Sequence, residues 1–305
     1  MVRAQPLKLI LILTLATSAC GLLTPGSDAP TAVPVPPTLT PIPELTADQI
    51  RNAQYQMNTR EDHPLIQLTD GGYQQGTDPI SPDFATATIS DFIAFGDLNT
   101  DGVDEAAAII YESFGGTGNF AALVVFRNEN GLPLFVTSTF IDDRAIINGL
   151  SIEENVILLD AVVHAFDDPG CCPQLPTTRR YALVNDQLRL THLTTSTPAG
   201  DIREIDIRAP LEGVEVSGSI QVTGSVTIAP FENNLAYSIS DASGAEWATG
   251  PVQVIAPDLG APGTFDVLID LSGIPAGTMI FLELQDVSAA DGSLLATDSV
   301  QLVVK

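Results

Sequence analysis

The chain has 305 residues, with 38 acidic side chains against 12 Lys and Arg, a formal charge of −26. A surface this negative repels a phosphate backbone, so nucleic acid is not an expected partner. The length, with 22 Pro and 24 Gly, suits two globular regions and an extended tether rather than one large core.

Arg3 and Lys8 give a cationic start to the short apolar run 7–16, which Thr17-Ser18-Ala19-Cys20 closes. The run is too short for a stable membrane span and has the layout of an export signal over residues 1–19. It resembles the bacterial lipobox, although Thr17 stands where Leu is usual. The resemblance implies lipidation of Cys20 and attachment to the extracytoplasmic face of the cell membrane. Each buried CH₂ of an acyl chain contributes about 0.8 kcal/mol to such attachment. The alternative is an ordinary cleaved signal with a chance cysteine. Loss of the signal removes Arg3 and Lys8, leaving a charge of about −28 and Lys305 as the one lysine. Residues 20–45 are rich in Pro and Thr, which predicts an extended, semi-rigid tether.

Thr46-Ala47-Asp48-Gln49 reads as a capping box opening a short helix to about Tyr55. Short apolar runs follow at 65–69, 86–95, 105–111, 120–126, 134–140 and 156–163. A last hairpin at 181–184 and 188–190 turns through Asn185-Asp186. The predicted fold for residues 46–196 is an α+β domain, an antiparallel meander with one helix packed on it. Phe114-Gly115-Gly116-Thr117-Gly118 lacks the Lys and helix signal of a phosphate loop and reads as a turn. Arg179 and Arg180 read as strand-face ion-pairing residues.

The densest functional signal is Asp97-Leu98-Asn99-Thr100-Asp101-Gly102-Val103-Asp104-Glu105. Ca²⁺ takes about six to eight oxygens. Asp97, Asn99 and Asp101 alternate, Gly102 permits a sharp turn, Val103 offers a carbonyl and Glu105 a carboxylate. The pattern begins like an EF-hand loop, but Ala108 occupies the twelfth position, where that loop needs Glu. It resembles the Asp-x-Asn-x-Asp-Gly loops of dockerin and FG-GAP-type repeats, which implies Ca²⁺ as a cofactor. A single copy cannot build a propeller. The alternative is a metal-free turn between strands.

Asp168-Pro169-Gly170-Cys171-Cys172-Pro173 is the second unusual stretch. Export favours a disulfide between Cys171 and Cys172. A reduced buried pair, or metal or redox chemistry with nearby His164, are the alternatives, although adjacent cysteines do not match Cys-x-x-Cys spacing. With Asn52-Ala53-Gln54-Tyr55, Leu68-Thr69-Asp70-Gly71, Gly96-Asp97-Leu98-Asn99 and Arg179-Arg180-Tyr181, this stretch resembles an uncharacterised domain of bacterial lipoproteins. The resemblance implies location and no activity.

Residues 203–305 contain about seven alternating runs in about 100 residues, the signature of an immunoglobulin-like β-sandwich. Residues 207–210, Val222-Thr223-Gly224, Pro230-Phe231-Glu232, Gly263-Thr264-Phe265 and 288–292 resemble the Gmad2 family, the immunoglobulin-like domain of bacterial spore-germination proteins. The resemblance implies an extracytoplasmic adhesion or assembly module. Phe231 is expected in the core beside a surface Glu232, and Trp247 is expected to pack; the alternatives are a contact site at Phe231-Glu232 and a partner anchor at Trp247.

The sequence therefore predicts a mainly β, lipid-anchored envelope protein, not an enzyme, that binds an envelope protein or cell-wall partner. An exported hydrolase is the competing reading. Its material is thin: His63, His164 and His192 are the only histidines, and no Gly-x-Ser-x-Gly or His-Glu-x-x-His motif occurs.

Overall fold

The computed structural model describes residues 41–305. The predicted signal, Cys20 and most of the tether lie outside the described residues. The folded body starts by Ile42. Leu45 is already buried, and the Pro43 carbonyl accepts from Asn128 Nδ2 at 2.8 Å, so the predicted tether ends in contact with the core.

The capping box forms: Gln49 N donates to Thr46 Oγ1 and Thr46 N to Gln49 Oε1. The helix α1 (Ala47–Ile50) is a single turn, shorter than predicted. Its continuation becomes the strand β1 (Gln54–Gln56), paired with β2 (Leu65–Gln67). Tyr55 and Ile66 are buried on one face of this ribbon, and that burial outweighs the local helix signal.

A five-stranded antiparallel meander follows: β3 (Gly72–Gln75), β4 (Ala85–Gly96), β5 (Glu105–Ser113), β6 (Phe120–Glu129) and β7 (Leu132–Asp143). Its central strands are buried on both faces. Ala106, Ala108, Ile110, Ala122, Val124 and Phe126 face α1 and the ribbon. Ala107, Ile109, Ala121, Leu123 and Val125 face the next sheet. Two-sided burial explains why β5 and β6 read as unbroken apolar runs rather than alternating ones. Full burial of each Ile, Leu or Phe contributes about 1.5–3 kcal/mol.

The next sheet is built from β8 (Ile146–Glu153), β9 (Val156–Val163), β10 (Leu175–Val184) and β11 (Gln187–Ser196). β8 escapes a reading by alternation because Asn148-Gly149 sits at a register shift within it. β10 begins six residues before the predicted run, since Thr177, Thr178, Arg179 and Arg180 carry no apolar pattern.

The C-terminal half contains β12 (Ile202–Arg203), β13 (Ile205–Ala209), β14 (Glu215–Val216), β15 (Ser219–Val226), β16 (Asn234–Asp241), β17 (Glu246–Ile255), β18 (Gly263–Asp270), β19 (Met279–Val287) and β20 (Leu294–Val304). The path β13-β15-β18 meets β17-β16-β19-β20 through β17, which pairs with strands of both layers. Val222, Ile239, Val252, Phe265, Leu282 and Leu302 fill the space between. This is an immunoglobulin-like sandwich without an internal disulfide, and the described residues are mainly β.

The two halves share a sheet. β11 pairs with β20 through His192↔Asp298 and Leu193↔Thr297, and β12 pairs with β11. Polar clamps flank that short seam: Arg203 to Asp286 at 2.7 Å, Ser299 Oγ to the Thr191 carbonyl at 3.0 Å, and Arg189 over the Phe281 ring at 4.1 Å. Among the described residues no helix is long and apolar enough to cross a membrane.

Candidate functional site

The acidic stretch connects β4 to β5 as a tight turn. Gly102 sits at φ +81° and Thr100 at +65°, left-handed positions that the Asn/Asp/Gly content favours. Leu98 is buried in the core below, and Asn155 Nδ2 donates to the Asp97 carbonyl at 2.7 Å. A Cβ at Gly96 would lie 2.6 Å from Ile152, so the turn rests directly on β8.

The predicted ligands do come to one turn, but their oxygens are engaged by the turn itself. Asp97 Oδ1 accepts from Asn99 N at 3.2 Å and Thr100 N at 2.7 Å, and Oδ2 from Gly102 N at 2.9 Å. Asn99 Oδ1 accepts from Asp101 N, and Asp101 Oδ1 from Val103 N. Glu105 is fully buried and accepts from Leu98 N and Asn99 Nδ2, both at 2.9 Å. Among the described residues no three His, Cys, Asp or Glu side chains gather as a metal-holding group. The turn closes on its own hydrogen bonds.

Electrostatics divides the two carboxylates. Burial pushes Glu105 above the usual carboxylate range; the Leu98 N–H opposes this, and Asp101 and Asp97 reinforce it. At Asp97 burial also acts upward, but the N–H groups of Gly102, Thr100 and Asn99 outweigh it and hold the group below its ordinary range.

Cys171 and Cys172 are joined as a disulfide in an exposed loop. Asp168 organises that loop, with Oδ2 accepting from Ala165 N at 2.8 Å and Gln174 N at 2.7 Å. The three histidines stand apart. His63 Nδ1 lies 3.1 Å from the Met57 carbonyl, His164 Nδ1 2.8 Å from Asp142, and His192 Nδ1 3.2 Å from Asp298 at the seam.

Three expectations are corrected. Phe231 is 66 % exposed rather than in the core, because residues 231–233 turn outward with Glu232 and Asn233 at positive φ. Trp247 is 42 % exposed, its Nε1 donating to Asp241 at 3.3 Å. Arg179 and Arg180 form no ion pair among the described residues, although Arg180 lines a cavity with Glu154, Glu212 and Asp298 and Arg179 lines one with Asp167 and Asp168.

Glu112, which the sequence did not mark, closes the other end of β5. It is fully buried and accepts from Asn58 N at 2.8 Å, Thr59 N at 3.0 Å, Thr59 Oγ1 and Tyr55 Oη. Its only sequence signal is a lone acid ending an apolar strand.

Residues 204–293 match the family model Gmad2, the immunoglobulin-like domain of bacterial spore germination. No curated protein matches the chain.

Proposed function

We propose that the chain is a lipid-anchored, extracytoplasmic binding or assembly protein of the bacterial cell envelope, without enzymatic activity of its own. The observation that carries this reading is the Gmad2 match at residues 204–293 on an immunoglobulin-like sandwich. Such modules present rigid surfaces, and this one holds Phe231 and Trp247 outward, side chains of the kind that anchor interfaces. The Cys171–Cys172 disulfide supports an oxidising compartment. Cys20 is the attachment point in this reading, and residues 20–45 are the spacer. Cys20→Ser should move the protein from the membrane fraction to the soluble fraction; retention on the membrane refutes the anchor. Partner capture from envelope extract, repeated with Phe231→Ala, tests the binding role: a partner whose capture is unchanged by that substitution does not use this surface.

A calcium-steadied turn belongs to the same reading, with Asp97, Asn99, Asp101, Glu105 and the Val103 carbonyl as the groups that would hold the ion. Its support is Glu105, buried beside Asp97 and Asp101, which add negative potential; Arg127 opposes them from a distance but makes no ion pair with Glu105 among the described residues. A divalent cation offsets that repulsion. Ca²⁺ should raise the melting temperature, and Asp101→Ala should abolish the rise. A wild-type protein indifferent to both Ca²⁺ and chelator excludes the cofactor.

A further inference from the structure

β7 is the last strand of the five-stranded sheet, with β6 on one side and no strand on the other. Asn130 and Gly131, both at positive φ, close the hairpin on the pair Glu129↔Leu132. From there the backbone groups of β7 alternate between facing β6 and facing away. Pro133, which has no N–H, falls at an outward position. Two register shifts leave Val136 and Ile141 as extra residues, and between them residues 137–140 pair evenly with residues 122–125. Counted through the first bulge, Ser138 and Phe140 turn their N–H and C=O groups outward. Among the described residues no backbone group outside β6 bonds to residues 134–141.

This open edge lies in a groove. Four consecutive residues, 135–138, line one cavity of about 250 Å³. Successive side chains of a strand point to opposite faces, so a cavity that touches all four meets the strand at its edge. One lip is Gln56 and His63 of the ribbon, and the other is Gln187 at the start of β11. The volume is below the roughly 300–1,000 Å³ of pockets that enclose a small ligand. It suits the backbone of an extended chain laid alongside. Residues 132–141 carry no charge, and Phe140 is exposed beside Phe120, with ring centroids 6.4 Å apart. Pro133 and the two bulges are the guards of this edge; they bend it away from the straight edge of another folded sheet. A second copy would also bring its own lips and its own charge of −26. A single extended segment meets neither obstacle.

We infer that the β7 edge takes a short extended peptide segment of a partner, apolar in its middle and cationic at its ends, as an added strand. The N–H and C=O groups of Ser138 and Phe140 pair with the peptide backbone. A β-branched or aromatic side chain of the peptide packs against Phe140. Acids stand at both ends of β7. Asp142 and Asp143 are met by His164 and Arg144, whereas Glu129 is exposed and has no ion pair among the described residues. The cationic preference therefore comes from Glu129 and from the net charge of the chain. This site lies on the other half from Phe231 and Trp247 and goes beyond the binding role proposed above. Its failure would leave the anchor and the Phe231 surface standing.

The test uses the purified chain and the peptide acetyl-Lys-Val-Thr-Val-Thr-Val-Lys-amide. Calorimetric titration should show binding, and N-methylation of the five central residues should weaken it at least about tenfold, through loss of the peptide N–H donors. Replacing both Lys by Glu should weaken it at least about threefold at low salt. Phe140→Ala should weaken it about threefold, the size of a cross-strand pair. Should that variant fail to fold, amide chemical-shift changes on the wild-type chain decide, and they are expected at residues 135–140. No binding, equal binding of the N-methylated peptide, or shift changes confined elsewhere overturns the inference. Tighter binding of the Glu-flanked peptide overturns the cationic assignment. A dimer in light scattering that Phe140→Ala dissociates makes a second copy the occupant and overturns the peptide.

Discussion

The two ends of β5 present the same device in different sequence contexts. Glu105 and Glu112 are both fully buried, and each holds the N–H groups of a neighbouring loop. Around Glu105 the loop is local, and its Asp, Asn and Gly residues announce it. Around Glu112 the donors are Asn58 and Thr59, more than fifty positions away, and nothing near Glu112 signals them. A conspicuous motif and an inconspicuous residue thus do similar structural work. The difference is that the Asp97 turn carries its own capping side chains, whereas the Asn58 and Thr59 N–H groups of the 57–63 loop are met by a distant carboxylate, with Asn58 Nδ2 to Ser138 Oγ at 3.0 Å as a second anchor.

The largest effect should come from Glu112→Ala. It strands the Asn58 and Thr59 N–H groups, the Thr59 hydroxyl and Tyr55 Oη, and should cost about 3 kcal/mol in chemical unfolding. A loss below about 1 kcal/mol would break the comparison, because the loop would then hold itself. Glu105→Ala should cost less, about 2 kcal/mol, since it frees two donors while Asp97 keeps the turn closed. Tyr55→Phe should cost about 0.5–1 kcal/mol, its 3.4 Å contact to Glu112 being the longest of that set.

Acid titration sharpens the comparison within the turn itself. Glu105 has a folded pKa above its unfolded value, so the folded state binds the extra proton. Its contribution to stability therefore falls as pH rises from about 4.3 through the raised folded value. Asp97 has the opposite sign: its contribution is present above about 3.9 and is lost as pH falls through the depressed folded value. Glu105→Gln should remove the first slope, and Asp97→Asn the second, in unfolding curves measured between about pH 3 and pH 6. Unchanged slopes in both variants would show that other carboxylates govern the acid response.

Much of the fold was legible strand by strand. The apolar runs of β5 and β6 and the seven alternating runs of the C-terminal half lie close to where the chain pairs them. α1 was overextended because the capping box marks where a helix starts and not where it ends. Tyr55 is held by the ribbon and by Glu112 instead. The candidate turn was legible as a turn, down to the positive φ at Gly102. That its carboxylates serve backbone N–H groups was not, because an Asp at alternate positions suits either role.

By itself the sequence determined the β-rich class, the Gmad2-like half and the position of the acidic turn. Each of these rests on neighbours a few residues apart, where side-chain period and turn chemistry act directly. Tertiary structure alone decided the two-residue seam from β11 to β20, joining His192 to Asp298 across 106 positions. A strand edge can pair with any other edge of suitable shape. The choice is made by the packing of the two cores behind it, and no local pattern encodes that.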